Sequence, residues 1–426
     1  MNDRFDLPIS TNARALDAYI EAVDNLLRAG PDLVAGFSNA LVIDPAFALA
    51  EIGRARALAI YGDGAAAKAS AARARGLAQT LSARERQHVN ALALAVDGKA
   101  AEALMAIREH LREFPRDALV LQPAVSAFGL IGFSGRIDRA QELLELLDGL
   151  APHYGDDWWF RSIHAYAQVD HGRVTEAERN VERSLELEPR NANAVHVRAH
   201  VFYELEQHTA GARFLRQWLA DHQQKALLRG HLAWHLALLQ LALGNPDSAW
   251  ILYREEIALP LHQPESARTP PLNVLTDTAS FLWRAELDGR QEHAADWQKL
   301  SEFGAARFPN AGLPYGDFHN AMVHARADAQ DLVKRLQSQL SELAVDRPAC
   351  ATASAVSAGL VAYARQDWSA AAKWLSEAHA EIVRLGGSRA QLDLISRTLV
   401  SAYRHAGSQK MAEDMCAARP HLLSAA

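Results

Sequence analysis

Only two cysteines, Cys350 and Cys416, occur in 426 residues. That excludes a disulfide framework and a cysteine-rich zinc site. No apolar run approaches the ~18 residues of a membrane-spanning helix. The N-terminus MNDRFDLPISTNARALD lacks the apolar stretch of a signal peptide. The expectation is a cytoplasmic protein with no membrane partner. Positive charge is not clustered either: 44 Lys and Arg are interleaved with 51 Asp and Glu, for a net charge of −7. Nucleic acid, which needs a basic face, is not an expected partner. There is no Gly-x-Ser-x-Gly elbow, Walker loop or dinucleotide fingerprint, which argues against an α/β-hydrolase, an ATPase or a Rossmann enzyme.

Strand-type alternation is almost absent as well. Ala and Leu dominate instead, and apolar residues recur at i, i+3, i+4 and i+7 nearly everywhere, the spacing of amphipathic helices. The segment HGRVTEAERNVERSLELEPRNANAVHVRAHVFYELEQ (171–207) shows the repeating unit. Gly172 marks a turn, Ala177, Ser184 and Leu187 follow at helix-contact positions, and Pro189 ends one helix where the next begins. The unit resembles a tetratricopeptide repeat, whose period is about 34 residues. Weaker copies begin at 62, 98, 135, 244, 365 and 407. The predicted fold is all-α, a right-handed superhelical solenoid of helical hairpins filling 1–426 as one domain. N-terminal repeats are expected over about 10–157, central repeats over 158–345 and C-terminal repeats over 346–426. Two proline-rich connections, 259–273 and 306–317, interrupt the rhythm and are expected to border a pocket.

Within this pattern two His-x-x-x-His pairs stand 35 residues apart, His196 with His200 and His231 with His235. Residues four apart share a helix face, so each pair points one way. One repeat of separation puts both pairs on equivalent helices, the ones expected to line the concave surface. Polar residues fall on the neighbouring inner helices too: His164 and Tyr166, then Asp277, Trp283 and Arg284, then Asp317, His319, Asn320 and His324. Three chemistries suit such a face. A His–Asp pair serves general acid–base work, with Asp277 or Asp317 orienting an imidazole. Arg284 beside Trp283 suits a carboxylate-bearing aromatic ligand. The four histidines, His196, His200, His231 and His235, are alternative ligands for a divalent metal, although neither pair carries the Glu of His-Glu-x-x-His. Against all three stands the structural reading: satisfied core histidines, a core Trp283 and an ion pair between Asp277 and Arg284. Ser388 and Gln391, after Gly386–Gly387, also fit an ordinary helix start.

The order of the segments VHVRAHVFYE, GHLAWHLALLQLALGN, DTASFLWRAELDG, YGDFHNAMV and LGGSRAQLD resembles the tetratricopeptide repeat protein 38 family, over most of the chain. The resemblance falls on His196, His200, His231, Trp234, His235, Asp277, Ser280, Trp283, Arg284, Asp317, His319, Ser388 and Gln391. It implies a solenoid with a polar inner pocket and supplies no established reaction. The sequence is therefore read as a protein that binds a small polar or aromatic molecule, and converts it by hydrolysis or proton transfer if it is an enzyme. Asp277, Asp317, His235 and His319 are the catalytic candidates. His164, Tyr166, His196, His200, His231, Trp234, Trp283, Arg284, Ser388 and Gln391 are the ligand-binding candidates. No organic cofactor is expected, a divalent metal is left open, and so is a homodimer. The rival readings are a non-catalytic scaffold that holds partner proteins in an open groove, and a metal-dependent enzyme that uses the paired histidines.

Overall fold

The structure is a computed structural model that describes residues 1–126, 128–222, 226–263, 269–289 and 293–419. Each apolar stripe becomes one helix of a hairpin. The pairs are α1 (Ala13–Leu27) with α2 (Leu33–Ile43), α3 (Ala48–Ile60) with α4 (Gly64–Ala78), α5 (Ala83–Val96) with α6 (Ala100–Glu113), and α7 (Ala118–Val125) with α8 (Arg139–Tyr154). Next come α9 (Trp158–Asp170) with α10 (Val174–Leu187), α11 (Ala192–Glu204) with α12 (His208–Asp221), and α13 (Arg229–Ala242) with α14 (Pro246–Leu252). A single-turn α15 (Leu259–His262) precedes α16 (Pro271–Leu287) with α17 (Ala294–Arg307) and α18 (Pro314–Arg326) with α19 (Gln330–Leu343). The chain ends with α20 (Pro348–Ala364) and α21 (Trp368–Ala378), then α22 (Arg389–His405) and α23 (Gln409–Ala418).

Two layers result. First helices pack on one another in succession, α9 on α11, α11 on α13, α13 on α16, α16 on α18 and α18 on α20. They form the inner layer, and α13 is buried at every residue from Gly230 to Gln240. The second helices cover them from outside and bury only a stripe: in α10 the buried residues are Ala177, Val181 and Ser184. Turns between the two helices of a hairpin need a positive φ. Gly172 supplies it at φ 91°, and with no side chain it does so at little steric cost. Asn191 starts α11 by accepting a hydrogen bond from the Ala194 N–H.

The array does not stay open. The α1–α2 turn reaches the starts of α11 and α13: Ala192 N donates to Arg28 O (3.0 Å), Asn193 Nδ2 to Leu27 O (2.7 Å) and Leu227 N to Ala29 O (3.2 Å). A second bridge forms further along. Arg139, buried at the start of α8, donates to Val383 O (2.9 Å) and Gly387 O (2.7 Å) and pairs with Asp170 (3.1 Å). Phe128 and Phe133 stack on each other and meet the Tyr315 ring of α18. Near this contact Gly387 has φ 76°, and a Cβ there would lie 2.6 Å from the Tyr315 ring. Only glycine combines that backbone with that approach. Finally α22 packs on α16. The concave side is thereby roofed by the two ends of the chain.

The two interrupting connections behave differently. Pro270, Leu272 and Asn273, at the end of the first, line the interior cavity, and residues 264–268 lie outside the described residues. The second folds toward α19 and α20. Ala311 N donates to Gln339 Oε1 (2.9 Å), and the Arg347 guanidinium to Gly312 O (3.4 Å). Among the described residues no helix is long and apolar enough to cross a membrane.

Candidate functional site

The two histidine pairs meet. On α11 the His196 Nε2 lies 2.9 Å from His200 Nε2, and it lies 3.0 Å from His231 Nε2 on α13. The His235 ring sits 5.1, 4.6 and 4.9 Å, centroid to centroid, from those of His196, His200 and His231. Ala199 on α11 and Ala233 and Ala237 on α13 are buried small residues of the kind that permit such close approach. Asp277 of α16 completes the group: its Oδ2 is 2.9 Å from His231 Nδ1 and accepts at 3.4 Å from Asn273 Nδ2. A carboxylate there fixes the proton on Nδ1 and leaves the Nε2 lone pair of His231 pointing at His196. Trp234 stacks on the His231 ring at 5.3 Å and 11° and holds its plane. Burial and the neighbouring imidazoles hold His196 and His235 well below the ordinary imidazole range, and burial pushes His200 down to about 3. These three are neutral at pH 7. His235 Nε2 is buried without a hydrogen-bond partner.

The cluster forms one wall of a cavity of about 260 Å³. His196 and His231 face it from one side, and Gln122, Asn193, Asn273 and Gln391 add amide groups. Apolar lining comes from Leu26, Ile60, Phe128 and Leu272. Arg56, on α3 and from the opposite end of the chain, also lines it. Its Nε donates to Gln122 Oε1 at 3.0 Å, and none of the ion pairs among the described residues involves it. Burial pulls its guanidinium down to about 10, so it stays charged at neutral pH. A half-buried guanidinium in a cavity wall suits a carboxylate or a phosphate, which it can meet with two parallel hydrogen bonds.

The remaining candidates distribute as follows. Gln391 and Ser388 form a capping box at the start of α22, in which Gln391 Oε1 accepts from Ser388 N at 2.9 Å. The box does not use Gln391 Nε2, which is buried without a partner on a side chain that lines the cavity. Tyr166 lies beside the cluster, with its ring 6.3 Å from that of His200. Arg284 bridges α16 to α22 by donating to Ala390 O (2.6 Å) and lies outside the cavity lining. Trp283 donates to Thr398 Oγ1 (2.9 Å) in the packed seam between the same helices. Asp277 and Arg284 do not pair: the first serves His231, the second a carbonyl. His164 faces α8 and meets Asp148 at 2.7 Å.

Asp317 and His319 sit one helix further on. Asp317 accepts from Gly312 N (2.9 Å), and burial pushes its carboxyl up to about 7. His319 donates from Nδ1 to Tyr315 O (2.8 Å), and burial pushes it down to about 4. Arg198, between the paired histidines in sequence, turns outward to Glu178 and Glu182.

Sequence reasoning did not reach Arg56, Gln122, Asn193 or Asn273. Arg56 lies in ALAEIGRARALAI beside Arg54, which pairs with Glu51, and nothing in the spacing separates the two arginines. A second polar knot, His88, His110 and Asp117, was also not singled out. Both histidines and Arg84 converge on Asp117 Oδ2 at 2.8–2.9 Å. With the Arg84 cation already on that oxygen, the knot acts as an internal ion pair joining α5, α6 and α7.

The hairpin succession and its inner and outer layers define a tetratricopeptide-like α-solenoid. No family model matches the chain. Among solved structures it is similar to yeast Tom70, at 12% identity over 95% of this chain and 91% of that one, with a TM-score of 0.40. It is also similar to the TPR domain of P58(IPK), at 16% identity over 93% and 100% of the two chains with a TM-score of 0.23. A structure of Naa15/Naa10 bound to HypK-THB matches at 14% identity over 96% of this chain and 64% of that one, with a TM-score of 0.24.

Proposed function

We propose that the protein binds a small acidic molecule, carrying a carboxylate or a phosphate, inside the closed solenoid, and that it belongs to the tetratricopeptide repeat protein 38 family its motif order resembles. The observation that carries the ligand reading is Arg56, a half-buried guanidinium lining a cavity of about 260 Å³ with no anionic partner among the described residues. A guanidinium drawn partly out of water without a counter-charge is destabilised, and an anion that takes two parallel N–H···O bonds offsets this. The free amide of Gln391 and the side chains of Asn193 and Asn273 offer further polar contacts. The volume lies near the ~300 Å³ lower end of small-molecule pockets. The reactions to assay on such a ligand are hydrolysis and proton transfer, which imidazole and carboxylate serve without an organic cofactor.

A scaffold that holds partner peptides needs an open concave face. Here the inner helices are covered, and His200, His231, His235 and Asp277 are each 4% exposed or less. The enclosed reading is therefore preferred. The test is a thermal-shift panel of small carboxylates and phosphates, with native mass spectrometry for a co-purified acid. A stabilising acid is expected whose affinity falls at least about tenfold, near 1.4 kcal/mol, in Arg56→Gln. If no acid stabilises the protein, or if Arg56→Gln binds it equally well, the reading is wrong. A captured protein partner would then support the scaffold.

A further inference from the structure

We infer that His196, His231 and His235 form a binding site for a divalent first-row transition metal of the zinc type, with Asp277 as the outer carboxylate that orients His231. The inference goes beyond the ligand reading, because it rests on different atoms and stands or falls without the acidic molecule.

His231 Nδ1 faces the Asp277 carboxylate at 2.9 Å, so its Nε2 presents a lone pair. That lone pair points at His196 Nε2, 3.0 Å away, and His196 Nε2 also faces His200 Nε2 at 2.9 Å. A neutral imidazole nitrogen carries one proton or one lone pair, so His196 Nε2 cannot satisfy both neighbours at once. The third ring, His235, has its Nε2 buried with no partner at all. One ligand nitrogen from each of His196, His231 and His235 lies within 4.8 Å of the others. A packed core does not ordinarily bring three imidazoles together and leave one ring nitrogen, here His235 Nε2, without a partner. A cation among them satisfies all three together. Metal–nitrogen bonds of about 2.0–2.1 Å place ligand nitrogens roughly 3.0–3.4 Å apart, and His196 Nε2 and His231 Nε2 are already 3.0 Å apart, with the His235 nitrogen within 4.8 Å of both.

The surroundings agree. Imidazole ligands with a carboxylate behind one of them suit zinc and its first-row neighbours rather than calcium or magnesium. His231 and His235 stand one turn apart on α13 and His196 comes across from α11, so two rigid helices fix the three rings. Arg198 pairs with Glu178 and Glu182 instead of facing the cluster. Arg284, whose charge reaches His235, is anchored on the Ala390 carbonyl and offset by Asp393. His196 and His231 also line the cavity. A three-histidine ion would therefore keep a coordination position open toward it, the arrangement of catalytic rather than structural sites.

The experiment uses the full chain, purified without a metal-affinity tag, stripped with chelator and titrated with cobalt(II) and zinc. Binding of one equivalent is expected, with visible cobalt absorption of a low-coordinate nitrogen site. His235→Ala, checked for folding by circular dichroism, should abolish that spectrum. Asp277→Asn keeps the three nitrogens and should weaken zinc binding by about 10–100-fold. If the stripped wild type takes up no cobalt or zinc, or if folded His235→Ala gives an unchanged spectrum, the assignment is overturned. Neither measurement uses an acidic ligand, so failure of the Arg56 reading would leave the result legible.

Discussion

Burial sets the ionisation of several side chains, and the consequences have opposite signs. His319 and His324 titrate at about 4 in the fold against 6.5 for the free group. Below pH 6.5 the unfolded chain takes up protons that these two residues refuse in the fold. Stability from them is therefore full above pH 6.5 and falls as the pH drops toward 4, by up to about 1.4 kcal/mol per pH unit for each. Asp317 works the other way. Its folded value of about 7 lies above the ordinary 3.8, so the folded carboxyl holds its proton longer. What it contributes is complete below 3.8 and is lost as the pH rises through 7. Asp317→Asn keeps an oxygen for the Gly312 N–H and removes the charge. We expect it to raise stability by more than about 1 kcal/mol at pH 8 and hardly at all at pH 4, read from urea midpoints at both. An equal change at the two pH values would show that the carboxyl is already ionised in the fold. Asp317, for all its neutral-range value, stands apart from the histidine cluster. Its contacts are a loop amide and the charge of Arg347, whereas Asp277 is the carboxylate that touches a histidine.

At the scale of the element, the turn residue that starts each sequence copy opens the second, outer helix of a hairpin: a glycine precedes α4, α6, α8, α10, α14 and α23, and Gln366 precedes α21. These were legible because a left-handed turn residue and an amphipathic stripe are local properties. Gly172 gives a clean test. Its φ is 91° and a Cβ there would meet nothing within 4 Å, so Gly172→Ala should cost only the conformational penalty, about 1 kcal/mol. An unchanged denaturation midpoint would mean that the turn relaxes to negative φ. Where the sequence offers no glycine the chain accepts the strain, as at Gln366 with φ 61°. One element defeated pattern reading. In α7, Pro123 and the SAFGLIGFSG stretch end the helix after eight residues, and Phe128 and Phe133 leave the repeat to pack on Tyr315.

At the scale of the whole molecule, closure is the feature that matters. Arg139 ties α8 to the Val383 and Gly387 carbonyls and to Asp170, all with little exposure. Removing it leaves a buried carboxylate and two carbonyls without their donor. Arg139→Ala should therefore cost about 3 kcal/mol. Hydrogen exchange should rise across residues 379–405, because that segment is held to the first half of the chain through this side chain. Loss of stability without faster exchange there would place the role of Arg139 in α8 alone.

The sequence by itself determined the helices, their pairing and the pairing of the histidines. Periods of 3.6 and about 35 residues are properties of neighbouring side chains, and i,i+4 spacing puts His231 and His235 on one face wherever the helix goes. It also determined that Asp277 lies on an inner helix and that Gln391 lies in the first turn of a helix. Which carboxylate would reach which imidazole was decided only by tertiary structure, because Asp277 and Asp317 lie on successive inner helices and differ in what those helices pack against. Arg56, Gln122 and Asn273 became one cavity wall through the same cause. They are joined by contacts between residues 28 and 192, 29 and 227, and 139 and 387, and no local rule of spacing specifies where a chain of hairpins will close on itself.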